Sequence, residues 1–94
     1  MDRATFESGL AQDGYEIVSV TMQPSAVNPQ HVHPFDARVM VVDGVMTVDR
    51  EDTGARTFAV GEWFELQAGC KHSEAAGESG AVYVAGRRSP AHRR

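Results

Sequence analysis

The sequence predicts an all-β barrel or sandwich preceded by one short helix, and three observations point to it. Turn-forming Gly, Pro, Asp and Asn clusters recur about every 6 to 12 residues through most of the chain, the spacing of short antiparallel strands. Between them the apolar residues follow the period of two of a strand. Helical spacing occurs once, at the N-terminus. At 94 residues the chain has room for a single core, so residues 1–94 are read as one domain, with a helical segment at 1–13, a β-barrel at 15–86 and a basic tail at 87–94.

The elements follow in order. Residues 3–12, RATFESGLAQ, carry Phe6 and Leu10 four apart among polar neighbours, and Gly14 follows as a stop, which reads as a short amphipathic helix. YEIVSVTMQ from Tyr15 has the pattern of a strand, closed by the two prolines of PSAVNPQ. DARVMVVDGVMTVDR reads as two runs joined by a hairpin at Asp43-Gly44, because Asp-Gly between apolar runs is a strong local hairpin signal. EDTG at 51–54 is the next turn, ARTFAV a strand, GEW a break, FEL a short strand, and GAVYVAG the last strand.

Composition narrows the function classes. The 41% apolar and 23% charged content is that of a globular domain. No run approaches the roughly 18 apolar residues of a membrane-spanning helix, and MDRATFESGL lacks the features of a signal peptide, so a cytoplasmic protein without membrane association is expected. Cys70 is the one cysteine and has no internal disulfide partner. Net charge is −4, but Arg87, Arg88, Arg93 and Arg94 fall in the last eight positions; the rest of the chain has five basic residues against thirteen acidic, a balance of −8. An acidic body argues against a nucleic-acid partner.

HVHPFD at 31–36 is the segment that carries chemistry. On a strand, His31 and His33 point the same way and present two imidazoles to one metal ion, although two histidines so spaced also occur as plain surface or turn residues. A third ligand has to come from elsewhere. Pro34 lets the chain turn and bring the Asp36 carboxylate back to the same pocket, and GEWFELQAGCKH offers His72.

At these residues the sequence resembles the cupins. Their first motif, HxH followed by an acid three or four residues on and a glycine at the next hairpin, reads here as HVHPFDARVMVVDG from His31 to Gly44. Their second, a glycine, five residues and then PxGxxH, reads as GEWFELQAGCKH from Gly61 to His72, with Gln67 where proline is usual and Gly69 in place. The chain is similar to very small bacterial single-domain cupins. The resemblance implies a double-stranded β-helix, or jelly-roll barrel, and one divalent metal ion per chain (Fe, Mn, Ni, Zn or Cu) held by His31, His33 and His72. Asp36 takes the position of the family's glutamate ligand. Aspartate is one methylene shorter, so it reaches the metal directly or through water, or orients a histidine. The resemblance also implies a homodimer.

Parity extends the site. If Asp36 faces the interior, Arg38, Met40 and Val42 face it too. Arg38 is then either paired with Asp36 or Glu74, or a guanidinium fork for a substrate carboxylate. Glu74, two past His72, is a candidate base or a solvated rim residue, and the rim is the simpler expectation because charged side chains are mostly exposed. Phe35 and Tyr83 are candidates for the pocket mouth. The function expected is binding of, or chemistry on, a small anionic or oxygenated metabolite at the metal, of dioxygenase, isomerase or lyase type. The alternative is a non-catalytic small-molecule-binding or sensor module.

Overall fold

The structure, a computed structural model, describes residues 1–92. Helix α1 spans Arg3–Gln12 and is capped by the Asp2 carboxylate, which accepts the Thr5 backbone N–H at 2.8 Å. Phe6 and Leu10 are its buried residues, one turn apart on the face turned to the barrel. Six strands follow: β1 (Glu16–Met22), β2 (Val27–His31), β3 (Asp36–Arg50), β4 (Gly54–Phe58), β5 (Trp63–Leu66) and β6 (His72–Arg88). A single 3-10 turn over Pro90–His92 ends the described chain.

Two long strands organise everything else. β3 and β6 pair antiparallel along their whole length, from Asp36 opposite Arg88 to Arg50 opposite His72. Around the first half of β3, β5 pairs with β3 and β1 with β6, which gives the strand order β1-β6-β3-β5. Around the second half, β4 pairs with β3 and β2 with β6, which gives β2-β6-β3-β4. The two halves enclose one core of Val39, Val41, Met46, Val48, Phe58, Phe64, Leu66 and Tyr83 with smaller neighbours. Fully burying one such aliphatic side chain stabilises the fold by roughly 1.5–3 kcal/mol.

Register breaks in mid-strand let each long strand serve both halves. In β3 they fall between Val41 and Asp43 and between Gly44 and Met46. Interior-facing residues change there from odd positions (Ala37, Val39, Val41) to even ones (Met46, Val48), and in β6 from His72, Glu74 and Ala76 to Ala81, Tyr83 and Ala85. Asp43-Gly44 is therefore a bulge inside β3 and not the hairpin expected from the dipeptide. Gly44 has φ +73, and a Cβ at that position would collide with the Gly80 carbonyl of the neighbouring strand.

Other differences are of the same kind. Asp36, Arg38, Met40 and Val42 do share a face, but it is the outer one. Met40 and Val84 pack with Phe6 and Leu10 under α1 in a second small core. PSAVNPQ, read as a loop, contributes to β2, with Pro29 in the stretch where the β2–β6 register shifts and no ladder hydrogen bond is needed. Arg87 and Arg88, assigned to the tail, are the last residues of β6, where Arg87 pairs with both Glu16 and Ala37. Arg93 and Arg94 lie outside the described residues.

Candidate metal centre

Three histidines meet where β2 ends and β6 begins. His31, the last residue of β2, is the direct cross-strand partner of His72, the first residue of β6. Two residues beyond β2, His33 folds back beside them without needing strand geometry. The ring centroids lie 4.3 Å (His31–His72), 4.7 Å (His31–His33) and 5.2 Å (His33–His72) apart. One nitrogen from each falls within 4.8 Å of the others, an arrangement in which three imidazoles can hold one metal ion.

The backbone settles which nitrogens are free. His72 Nδ1 donates to the Cys70 carbonyl at 2.9 Å, and His31 Nδ1 to the Pro29 carbonyl at 2.7 Å. With the ring proton on the bonded Nδ1, the neutral form of each ring presents its Nε2 lone pair to the cluster, as a metal ligand must. His72 is 1% exposed, and its Nε2 is buried with no hydrogen-bond partner. A buried nitrogen left without a partner costs about 1–3 kcal/mol, and a metal ion placed there would relieve that cost. His33 is held below the usual histidine range by burial and by its two histidine neighbours, which favours the neutral ligand form. Its ring stacks on Phe35 at 4.6 Å.

The carboxylate beside the histidines is Glu74, not Asp36. Glu74 stands two residues after His72 on the same inward face of β6. Its side chain is 9% exposed, with Oε2 3.7 Å from His72 Nε2 and Oε1 3.9 Å from His31 Nε2. Its cross-strand neighbour Asn28 donates Nδ2–H to Oε1 at 2.9 Å. The rim position expected from the sequence is thus corrected: alternation from His72 turns Glu74 inward. Asp36 lies on the outer face, where it accepts the Ala68 N–H at 2.9 Å in a depression lined by Tyr15, Arg38 and Arg88.

Arg38 and Met40 stand away from the histidines as well. The Arg38 guanidinium is 2.8 Å from both Asp13 and Glu65 and stacks on Tyr15, so it ties the end of α1 to β5. The arginine near the site is Arg87, whose guanidinium lies over Phe35 at 5.1 Å and whose charge is felt at His33 and Tyr83. Tyr83 faces the interior, where burial and the Glu74 carboxylate push its phenol up to about 12. Sequence reasoning missed Asn28, which has no motif, and Arg87, hidden in an apparent tail.

No protein-family model and no curated protein matches this sequence. Solved structures do. A cupin-2 domain containing protein from Shewanella frigidimarina is 21% identical, with a TM-score of 0.64 over 79% of this chain and 71% of that one. KdgF from a Halomonas species is 23% identical, with a TM-score of 0.67 over 84% of this chain and 74% of that one. An oxalate oxidase, also solved with the substrate analogue glycolate, is 26% identical, with a TM-score of 0.70 over 81% of this chain but only 42% of the other. These likenesses show the fold: a cupin double-stranded β-helix with a short N-terminal helix.

Proposed function

We propose that this small cupin barrel binds one divalent metal ion through His31, His33 and His72 and holds a small anionic or oxygenated metabolite there. The observation that carries the reading is the buried, unpartnered Nε2 of His72, aimed at two further imidazoles while its Nδ1 is committed to a backbone carbonyl. Three imidazoles suit Fe, Mn, Ni, Zn or Cu, among which availability decides as much as affinity. Such an ion, when bound, supplies a Lewis acid for a carbonyl or carboxylate oxygen.

The chain's own groups favour an anion. Arg87, over Phe35, offers the planar donor fork that suits a carboxylate, the role expected of Arg38. Tyr83, its phenol pushed up to about 12, stays protonated near neutrality and is a hydrogen-bond donor. Phe35 stacks on His33, which restrains the orientation of that ring. The oxalate oxidase among the similar structures acts on a small carboxylate, and this supports the same substrate class here.

Elemental analysis of untagged protein purified without chelator, beside His72→Ala, tests the reading. Near-stoichiometric metal in the parent and its loss in the variant are expected. A parent that takes up no metal even after reconstitution would overturn the proposal.

A further inference from the structure

We infer that Glu74 is the fourth ligand of this metal centre, so that its carboxylate comes from the strand of the last histidine rather than from the segment after the first two. The inference rests on the metal reading above and adds to it a residue that the HxH segment does not contain.

His31 and His72 have each given their N–H to a backbone carbonyl, so their Nε2 atoms face the cluster as acceptors. The Glu74 carboxylate, also an acceptor, lies 3.7 and 3.9 Å from those two atoms. These separations exceed a hydrogen bond. Acceptors converging in a buried site repel one another unless a cation stands between them. Two ligand atoms on one ion, at bonds of about 2.1 Å, are about 3 to 3.4 Å apart, so a shift of less than about 1 Å separates the observed arrangement from coordination.

Position and charge agree with this. His72 and Glu74 alternate inward on one strand, so that a single rigid element presents both groups. Asn28 holds the carboxylate from the next strand at 2.9 Å, the kind of outer contact that orients a metal ligand. One carboxylate also halves the charge that three neutral imidazoles would leave on a divalent ion in a site where His72 is 1% exposed. Asp36 contributes none of this, because its carboxylate is on the other face of β3, bonded to the Ala68 N–H.

Titration of the metal-free protein with Co(II) against a competing chelator, with the visible spectrum recorded, tests the assignment in four proteins. Glu74→Gln is expected to weaken Co(II) binding by about 100-fold and to change the spectrum, and Asn28→Ala to weaken it by about 10-fold. Asp36→Asn, which keeps an acceptor for the Ala68 N–H, is expected to match the parent. Parent-like affinity and spectrum in Glu74→Gln would overturn the assignment while leaving the three-histidine site standing. A parent that binds no Co(II) would overturn both. Should circular dichroism show Glu74→Gln unfolded, Asn28→Ala decides: weakened binding supports the assignment and parent-like binding overturns it.

Discussion

Removing the metal should cost this barrel a large part of its stability, because its ligands are assembled only by the fold. His31 and His33 precede β3 and His72 opens β6, with β3, β4 and β5 between them in sequence, and they meet only through the β2–β6 ladder. An ion that binds only the native state stabilises it by about 2.7 kcal/mol when its free concentration is about 100 times Kd. For a domain of about 60–100 residues, each kcal/mol moves Tm by about 4–8 °C, so the shift is roughly 10–20 °C. His31 and His33 stay close together in the unfolded chain and retain weak affinity, which places the expectation toward the lower end of that range. The assay is thermal unfolding by circular dichroism of chelator-treated protein with and without added Zn(II) or Mn(II), beside His72→Ala. The variant loses the donor to the Cys70 carbonyl and so melts lower on its own account; the diagnostic quantity is its response to metal, expected to be near zero. Equal Tm for the parent with and without metal, at saturating concentrations, would overturn the expectation, as would an equal response in His72→Ala.

Two further expectations test the anion site and the histidines. On metal-loaded protein, Arg87→Ala should weaken oxalate binding by about fivefold in calorimetry, the worth of about 1 kcal/mol for one exposed charged contact. Arg38→Ala should leave that binding unchanged and lower stability by about 1 kcal/mol, since its partners Asp13 and Glu65 are half-exposed; the opposite pattern would return the anion role to Arg38. Oxalate stabilisation of equal size with and without metal would favour a binding module over metal chemistry. His33 is held below its unfolded value of about 6.5, so below that pH the unfolded chain takes up a proton that the folded one refuses. Metal-free protein should therefore lose stability as pH falls from about 7 to 5, and His33→Asn should reduce that loss in denaturant titrations; an equal loss would show that His33 is not its source.

Much of the site was legible because it is built from local signals. His31, His33 and His72 sit in spacings that name their chemistry, and the structure brings them together. The Asp36 assignment failed for a geometric reason. Period-two alternation says which residues share a face but not which face is inside, and in β3 both faces carry apolar residues because α1 covers the outer one. Arg38 and Met40 followed Asp36 to the wrong side by sound parity from an unsettled start. Glu74 was misjudged the other way: an acid was expected at the rim, when alternation from His72 already turned it inward.

An all-β barrel with a helical start and three candidate metal-binding histidines could be read from local signals, because turn residues, strand period and HxH spacing act over a few residues. Tertiary structure decided which carboxylate and which arginine attend those histidines. The physical reason lies in the bulges of β3 and the matching break in β6, which reverse the inward face partway along each strand. At that reversal Gly44 lies so close to the Gly80 carbonyl across the ladder that a Cβ would collide with it, a contact between residues far apart in sequence that local patterning does not report.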